Sequence, residues 1–448
     1  MTTSFTMTIT AEETIKSFRV VGELYLIGSL ERGVTVYRQQ VRAHNLVWAL
    51  SQIDKDPKRV HEVAVIGGGI TGLTAAACIL GLFPNARVHL FERSPDLCSL
   101  QQGCDTRWLH PRIYDWPARG SRAPSAALPV LDWSEGRASD VAAEILRRFH
   151  EYSCRVSHER LQVILGVDHL RITGRDLQVE WVGRRATRDG EFFRQGPAAG
   201  ESEVFDRIIV ATGFGLESYP AQFRTPSYWR NDTLAQPRLD GSVQTYVVSG
   251  YGDGALVDLC RLTIERFRQD RILYELFGHN PEPIEEMLGP AAAKALAGEN
   301  VFDLLRAMED SVLKGARDEL RKRIRKDTRV FLHIRGGGKP GNTSLPDVFG
   351  DTSSFANRLL LFLLYRCGAF IPRFDELQSI VDDHSLPSAN VICRYGPSAM
   401  AHLATVFTDE AAFADRFREM KELRSQSVYL QSAPGVFPDY AKDDDRSE

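Results

Sequence analysis

The sequence predicts the α/β class: a parallel sheet interleaved with helices, a set of antiparallel strands inserted into it, and a mainly helical C-terminal region. Three observations predict it. Residues 63–66 are a nearly unbroken apolar run, suited to a strand buried on both faces, and they lead into a glycine-rich turn and a helical stretch. Short β-like runs (LQVILGV, DLQVEWVG, VFDRIIVATG) crowd residues 160–210. From 266 to 330 the pattern is helical and charged.

A chain of 448 residues exceeds one compact core and predicts two or three domains. With 43% apolar and 25% charged residues and a net charge of −4, it has the composition of an ordinary globular protein. That balance points to no nucleic-acid or membrane partner. The start, MTTSFTMTITAEETIK, has no basic stretch followed by an apolar one, and the seven cysteines are odd in number. Both features predict a cytoplasmic protein with reduced thiols. The run LLLFLLY, 359–365, is far shorter than the ~20 residues a membrane helix needs and reads as a buried helix.

In chain order, FRVVGELYLI and GVTVY predict strands within 17–37, with SLERG as the turn between them. Val41, Leu46, Leu50 and Ile53 predict an amphipathic helix over 38–53, and DKDPK is a polar linker. Residues 1–58 are thus expected as a β-hairpin and helix packed on the core. A strand–turn–helix–strand unit follows at 59–93. Then come a Pro-, Gly-, Trp- and Arg-rich loop at 94–136 and a helix at 139–153. GRRATRDGEFFRQGPAAGESE reads as a hairpin or flexible excursion. TYVVSG, 245–250, is another strand, with GALVDLCRLTIERFRQD as a helix behind it, and VFLHI, 330–334, a further strand. The expected domains are 1–58, 59–265 with the antiparallel insertion, a mainly helical substrate or cap region at 266–440, and a disordered tail at 441–448.

The turn after residue 66 is GGGITG, with Gly67, Gly69 and Gly72 in the spacing GxGxxG. The first permits a tight turn, the second lets a pyrophosphate approach the backbone, and the third lets the helix sit close to the strand. The helix then presents its N-terminal N–H groups, at Ile70 and Thr71 among others, to the phosphate. ARVHLFE is the second strand. It ends in Glu92, twenty residues after Gly72, where a carboxylate accepts hydrogen bonds from a ribose diol. Arg93 adjoins it. An acid there disfavours a 2′-phosphate, so the adenosine bound here is not expected to be that of NADP.

FDRIIVATGFG, 205–215, makes the resemblance definite. A strand ending in Ala211, Thr212 and Gly213, preceded by Asp and an apolar run, is similar to the second conserved segment of the FAD-dependent oxidoreductases. In that superfamily it re-enters a Rossmann-like nucleotide domain after a β-meander, and residues 160–200 lie where the meander would be. TYVVSGYGDGALVDL, 245–259, looks like the family's late strand–Gly-Asp–helix segment, with Gly252 and Asp253 matching. The resemblance there implies that Asp253 binds a ribityl hydroxyl of FAD. The same stretch also resembles the glycine turn of an NAD(P)H-binding unit. The flavin reading is preferred because no clear second strand with a terminal acid or arginine follows, and no second Ala-Thr-Gly. The resemblance covers roughly 59–265 and implies FAD as cofactor, with NAD(P)H as a possible second one.

In this superfamily the chain after the acid runs toward the isoalloxazine ring. CDTRWLHPRIYDWPARG, 104–120, therefore offers Arg107, His110 and Arg112 as catalytic candidates, to anchor an anionic substrate or stabilise negative charge on the reduced flavin. Trp108, Tyr114 and Trp116 could line a pocket, or simply pack. Cys98 and Cys104 have five residues between them, which makes a redox disulfide doubtful. RGGGKPGNTS, 335–344, lacks the Ser or Thr after its lysine that a phosphate loop needs, and reads as a flexible turn or lid. KGARDELRKRIRK reads as a solvated helix face. No HExxH, CxxC or GxSxG occurs, so neither a metal site nor a hydrolase is expected. The expected function is an FAD-dependent oxidase or dehydrogenase acting on a small molecule. The alternatives are a flavin monooxygenase using NAD(P)H and a non-catalytic nucleotide-binding regulator or scaffold. Substrate and oligomeric state are not encoded in these patterns.

Overall fold

In the strand Glu62–Ile66, Val63 and Val65 face one apolar cluster while Ala64 and Ile66 face another. Period-two geometry gives this pattern to a strand covered on both sides. The computed structural model of the protein describes residues 10–426 apart from 32, 55, 191, 214, 216, 218, 221, 224, 279–281, 335–344, 350–352, 397 and 409. Its first sheet has eight strands: β1 (Arg19–Val21), β2 (Leu24–Leu26), β3 (Glu62–Ile66), β4 (Arg87–Phe91), β7 (Leu161–Thr173), β8 (Gln178–Asp189), β9 (Phe192–Val204) and β10 (Arg207–Val210). Two short strands, β5 (Trp108–Leu109) and β6 (Gly136–Arg137), form a separate antiparallel ribbon in the loop 94–136. The spatial order is β1-β2-β10-β3-β4-β7-β8-β9. From β2 to β7 all neighbours are parallel, and β7, β8 and β9 form the antiparallel meander.

Four helices share the apolar cluster on one face: α1 (Ala11–Phe18), α2 (Val36–Ile53), α3 (Ile70–Leu82) and α4 (Ala138–Ser157). The other face is covered by the C-terminal helices Ala399–Leu403 and Glu410–Gln426, through Leu403, Phe413, Phe417 and Met420, together with Trp181 of β8. The two ends of the described chain meet here, where Arg416 donates to the carbonyls of Lys16 and Arg19.

The N-terminal unit differs from expectation. GVTVY is not a strand: Thr35 caps α2 by accepting from the Arg38 N–H, and the helix begins at Val36. The β-turn lies at 22–23, between β1 and β2, rather than at SLERG. A helix at 11–18 went unread, although Thr10 and Glu13 form a capping box at its start. The unit also does more than pack on the core. β2 pairs in parallel with β10 and extends the sheet.

The second sheet has four parallel strands, β11 (Gln244–Ser249), β12 (Thr328–His333), β13 (Ile371–Arg373) and β14 (Val391–Cys393), in the order β13-β12-β11-β14. Its helices include α5 (Asp253–Thr263) after β11, and then α6 (Ile272–Phe277), α7 (Glu282–Leu296), α8 (Val301–Ala307) and α9 (Lys314–Lys322) between α5 and β12. α10 (Phe355–Arg366) carries the LLLFLLY run, with Leu359 to Leu364 all at 0–1% exposure. Burying each such leucine is worth ~2 kcal/mol, which is why this run sits in a core. Helices dominate the C-terminal region as expected, but three strands of this sheet come from it too. The boundary expected at 265 therefore falls inside one unit, since β11 and α5 precede it and β12, β13 and β14 follow. The loop 335–344, with Asn342 and Ser344, and the tail 441–448 lie outside the described residues.

Candidate functional site

Because β2, β10, β3 and β4 are parallel, the segments that follow them meet at one edge: 27–31, 211–213, 67–69 and 92–94. In an open α/β sheet ligands lie outside the carboxyl ends of the strands, where the strand order reverses. Here that point is between β3 and β10. Gly67 has φ +115°, and a Cβ on it would stand 2.5 Å from the Ala211 carbonyl oxygen, so the two strand ends touch. A Cβ on Gly72 would collide with the Gly67 carbonyl oxygen, so α3 begins hard against the turn. Gly69 is different: a Cβ there would meet nothing within 4 Å. It is the N-cap of α3 and provides no side-chain cap. The first N–H groups of the helix, at Ile70, Thr71 and Gly72, therefore lack partners within it and carry the positive end of its dipole.

Glu92 closes the β4 side of the turn. One carboxylate oxygen accepts the Gly68 N–H at 2.6 Å and the other the Ser94 N–H at 2.6 Å. Each oxygen keeps a lone pair for a ribose hydroxyl. Arg93 is exposed beside it. On the opposite side, among the described residues, the Thr212 hydroxyl is buried without a hydrogen-bond partner and Gly213 has open space where a Cβ would be. Buried polar atoms are nearly always paired in a finished site, so an orphan here fits a ligand group. An open cradle at Gly69, unpaired helix amides, a fixed acid and an orphan hydroxyl are together the donor set that a dinucleotide such as FAD requires.

The loop 94–136 was expected to supply the chemistry, and its three candidates part company. Arg107 is buried and belongs to a charge cluster. It donates to Asp258, to Asp232 at 3.2 Å and to the Tyr228 carbonyl at 2.8 Å, and stacks 4.0 Å from the Tyr228 ring. Burial opposes its charge, but Asp258, Tyr228 and Asp232 together outweigh that and raise its pKa. Asp258, which burial alone would push up, is held well below the carboxylate range by Arg107, Arg394 and Arg261. Arg107 thus holds the two units together and is not free to bind substrate. Beside it lies a cavity of about 150 Å³ lined by Trp108, Tyr228 and Phe267 among others. His110 is buried, and its Nδ1 accepts the Arg112 N–H at 3.2 Å. Its Nε2 lies 3.4 Å from Glu135, too long and poorly directed to be a hydrogen bond. Burial draws it below the ordinary histidine range.

Arg112 alone of the three reaches the first turn of α2. It donates to the Tyr37 hydroxyl and stacks 4.8 Å from that ring, and among the described residues it has no carboxylate partner. Two residues on, Tyr114 approaches Asp253, and Asp115 pairs with Arg38 in the first turn of α2. Ile113 and Trp116 point the other way, into the core of the second unit. Segment 112–116 is therefore the seam between the two sheets. Tyr37, Arg38 and Asp115 were not anticipated from the sequence. Their only signal was position: Tyr37 and Arg38 fall where the α2 pattern begins, and Asp115 lies in the aromatic loop. His402 was also missed. It packs against Gly215 beside the Thr212 loop, its Nε2 is buried without a partner, and burial lowers its pKa. Cys98 and Cys104 are free thiols, and burial pushes Cys98 up to about 12, so it is no redox nucleophile.

Gly252 and Asp253 are not at this edge of the first sheet. They follow β11 on the second. Asp253 is the first residue of α5, and its Oδ1 accepts from Ser354 N, Ser354 Oγ and Asn357 Nδ2 at the start of α10, at 2.9, 2.9 and 2.6 Å. The ribityl role expected of it required the strand before it to join the first sheet, and β11 joins β12 and β14 instead. A second parallel strand, β12, does follow, four helices after α5, but it ends in His333 and not in the acid or arginine that the rival reading asked for.

Residues 62–168, about a quarter of the chain, match the family model described as FAD dependent oxidoreductase. No curated protein matches the sequence. Among solved structures, a polycyclic ketone monooxygenase from Thermothelomyces thermophila is similar at 10% identity. That alignment covers 50% of this chain and 41% of that one, with a TM-score of 0.26. A cadaverine monooxygenase of the desferrioxamine biosynthetic pathway from Erwinia amylovora, bound to FAD, is similar at 12% identity. It covers 48% of this chain and 51% of that one, with a TM-score of 0.22. This chain spans about half or less of the length of either. Among the described residues no helix is long and apolar enough to cross a membrane, and no group of three or more His, Cys, Asp or Glu side chains could hold a metal ion.

Proposed function

We propose that this chain, which carries an FAD-dependent oxidoreductase domain over residues 62–168, is a two-nucleotide flavoprotein. FAD would lie across the first sheet, NAD(P)H at the turn 250–255 of the second, and a small-molecule substrate at the seam between them. One observation carries the second nucleotide. Gly250 has φ +120° and meets the Arg394 carbonyl oxygen as Gly67, at φ +115°, meets that of Ala211, while Gly252 is as open as Gly69. The four-strand order β13-β12-β11-β14 also reproduces the 3-2-1-4 core of a dinucleotide-binding sheet.

Bound FAD supplies two-electron chemistry, and the chain supplies place and charge. The amides at the start of α3 would hold the pyrophosphate and Glu92 the ribose hydroxyls. Arg112, with a phenol and no carboxylate beside it, would offer its charge at the seam to an anionic group of substrate or cofactor. A second reading, an oxidase or dehydrogenase taking hydride from its substrate, is favoured by Asp253. A carboxylate at the first position of α5 repels a pyrophosphate that would otherwise sit there.

Anaerobic mixing separates the two readings. The FAD-loaded protein should lose its absorbance near 450 nm (roughly, as flavins do on reduction) when NADH or NADPH is added. Gly252→Val should slow this roughly tenfold or more without releasing FAD, because a side chain would fill the space open to the phosphate. Bleaching by neither nucleotide would leave the oxidase or dehydrogenase reading. Colourless protein that takes up no FAD would remove both.

A further inference from the structure

In the first sheet, β3 provides the glycine turn, β4 the acid, and β10 the Ala-Thr-Gly end. The strand beyond β10 is β2, from residues 24–26 at the opposite end of the sequence from where such a strand was expected. A dinucleotide whose ribose is at Glu92 and whose pyrophosphate is at α3 runs away from β4, past β10, and on to the end of β2. From β4 to β2 is three strand spacings of ~4.8 Å, or about 14 Å. We infer that residues 27–31 and 33–38, the end of β2 and the first turn of α2, form the wall around the flavin half of FAD. Arg38 and Arg112 would then be the two cations at that end. The inference rests on the FAD reading above and adds residues that no sequence motif marks.

The contacts are specific. Ser29 is buried, and its Oγ donates to the Gly213 carbonyl at 2.6 Å, which ties the end of β2 to the loop carrying the orphan Thr212 hydroxyl. Ile27 N–H donates to the Val210 carbonyl at 2.8 Å, so the parallel pairing runs to the edge. Tyr37 and Arg38 then grip Arg112 and Asp115. Arg38 also lies near enough to Asp253 to favour its charged form. The end of β2 is thus tied to Gly213, and the first turn of α2 that follows it lies near Asp253 of the second glycine turn. Arg38 is held by Asp115 and is mainly a positioning residue for segment 112–116. Arg112 is the cation with charge to spare.

Hydrogen exchange on the full chain, with and without added FAD, tests this. FAD should slow exchange at 67–72 and also at 29–38. Protection at 67–72 with 29–38 unchanged would overturn the inference and leave FAD binding intact. Absence of protection at 67–72 would instead remove the cofactor reading and this inference with it. In parallel, Ser29→Phe should weaken FAD binding roughly tenfold or more, read by quenching of FAD fluorescence, while Ser29→Ala stays near the native affinity. Native affinity in Ser29→Phe would count against the wall. Should that variant fail to fold, the exchange pattern decides alone.

Discussion

The two glycine turns of this chain are near copies in backbone and opposites in surroundings. In each, a glycine with φ near +115° to +120° presses on the carbonyl of a neighbouring strand end, a second glycine opens the helix with nothing in front of it, and the helix has no side-chain cap. The differences begin one residue later. The first helix starts with Ile70, and its third glycine, Gly72, abuts the turn. The second starts with Asp253 and has Ala255 at the matching place, only 3.6 Å from where a Cβ on Gly250 would sit. The first turn has Glu92 bonded to it, while the second has an acid inside the helix, shared with α10. A common backbone thus makes room for a phosphate, and the neighbouring side chains decide how welcome it is.

The largest expected effect comes from exchanging the residues that differ. Gly72→Ala puts a methyl group into the Gly67 carbonyl, so α3 must move off the turn. The cost should be ~3 kcal/mol, with FAD retention lost. The reciprocal Ala255→Gly removes a methyl from a helix and should cost only ~1 kcal/mol, leaving FAD in place. Thermal unfolding and flavin content of both variants would show it. If Gly72→Ala kept its flavin, the tight contact would not be what shapes the first site.

How much of this was legible depended on distance along the chain. The first turn was readable because strand, glycines, helix and acid fall within thirty consecutive residues, each announcing itself by period or spacing. Its partner strand at 207–210 was readable only through Ala-Thr-Gly. The second sheet was only half legible: β11 and β12 were read as strands, but their pairing was not, because β12 begins more than sixty residues after α5 ends, and the three-residue strands β13 and β14 carry too little pattern to be seen. Nor could β2 be placed. Its alternation says strand but not which neighbour it pairs with, and Gly252 with Asp253 seemed to fill the vacancy. Arg107 was read as an active-site cation for a related reason: its carboxylate partners, Asp232 and Asp258, lie over a hundred residues away.

A smaller effect should separate the two units in acid. Of the histidines that burial depresses, His44, His89, His110 and His150 lie on the first unit and its loop, and His402 lies on the C-terminal helix Ala399–Leu403 that covers the first sheet. His44 sits between α2 and α3, 3.2 Å from the Cys78 sulfur and 3.3 Å from the Val130 carbonyl, and is pulled down to about 4. A lowered histidine binds its proton more readily when unfolded, so stability is lost as pH falls from 6.5 through 4. A shift of that size is worth about 3 kcal/mol, order of magnitude only. Flavin release should therefore precede loss of exchange protection in β11, and His44→Gln should flatten the acid limb. Simultaneous loss of both sheets would show that the units do not unfold separately.

The smallest effect probes the acid that sets the turns apart. Burial raises the Asp253 carboxyl above its ordinary value, against the pull of its bonds to Ser354 and Asn357. For an acid raised on folding, the folded state binds the proton more tightly. Stability then falls as pH climbs from the ordinary aspartate range through the raised value. Asp253→Asn keeps an oxygen to accept from Ser354 and Asn357 and removes the charge. Its stability relative to the native chain should improve across that window and no further above it. If the second turn takes NAD(P)H, the same substitution should tighten nucleotide binding a few-fold, because one like charge leaves the start of α5. If it takes no nucleotide, stability alone should change. A titration of flavin bleaching against NADPH for native and Asp253→Asn protein distinguishes a turn built for a phosphate from one whose acid serves only to join α5 to α10.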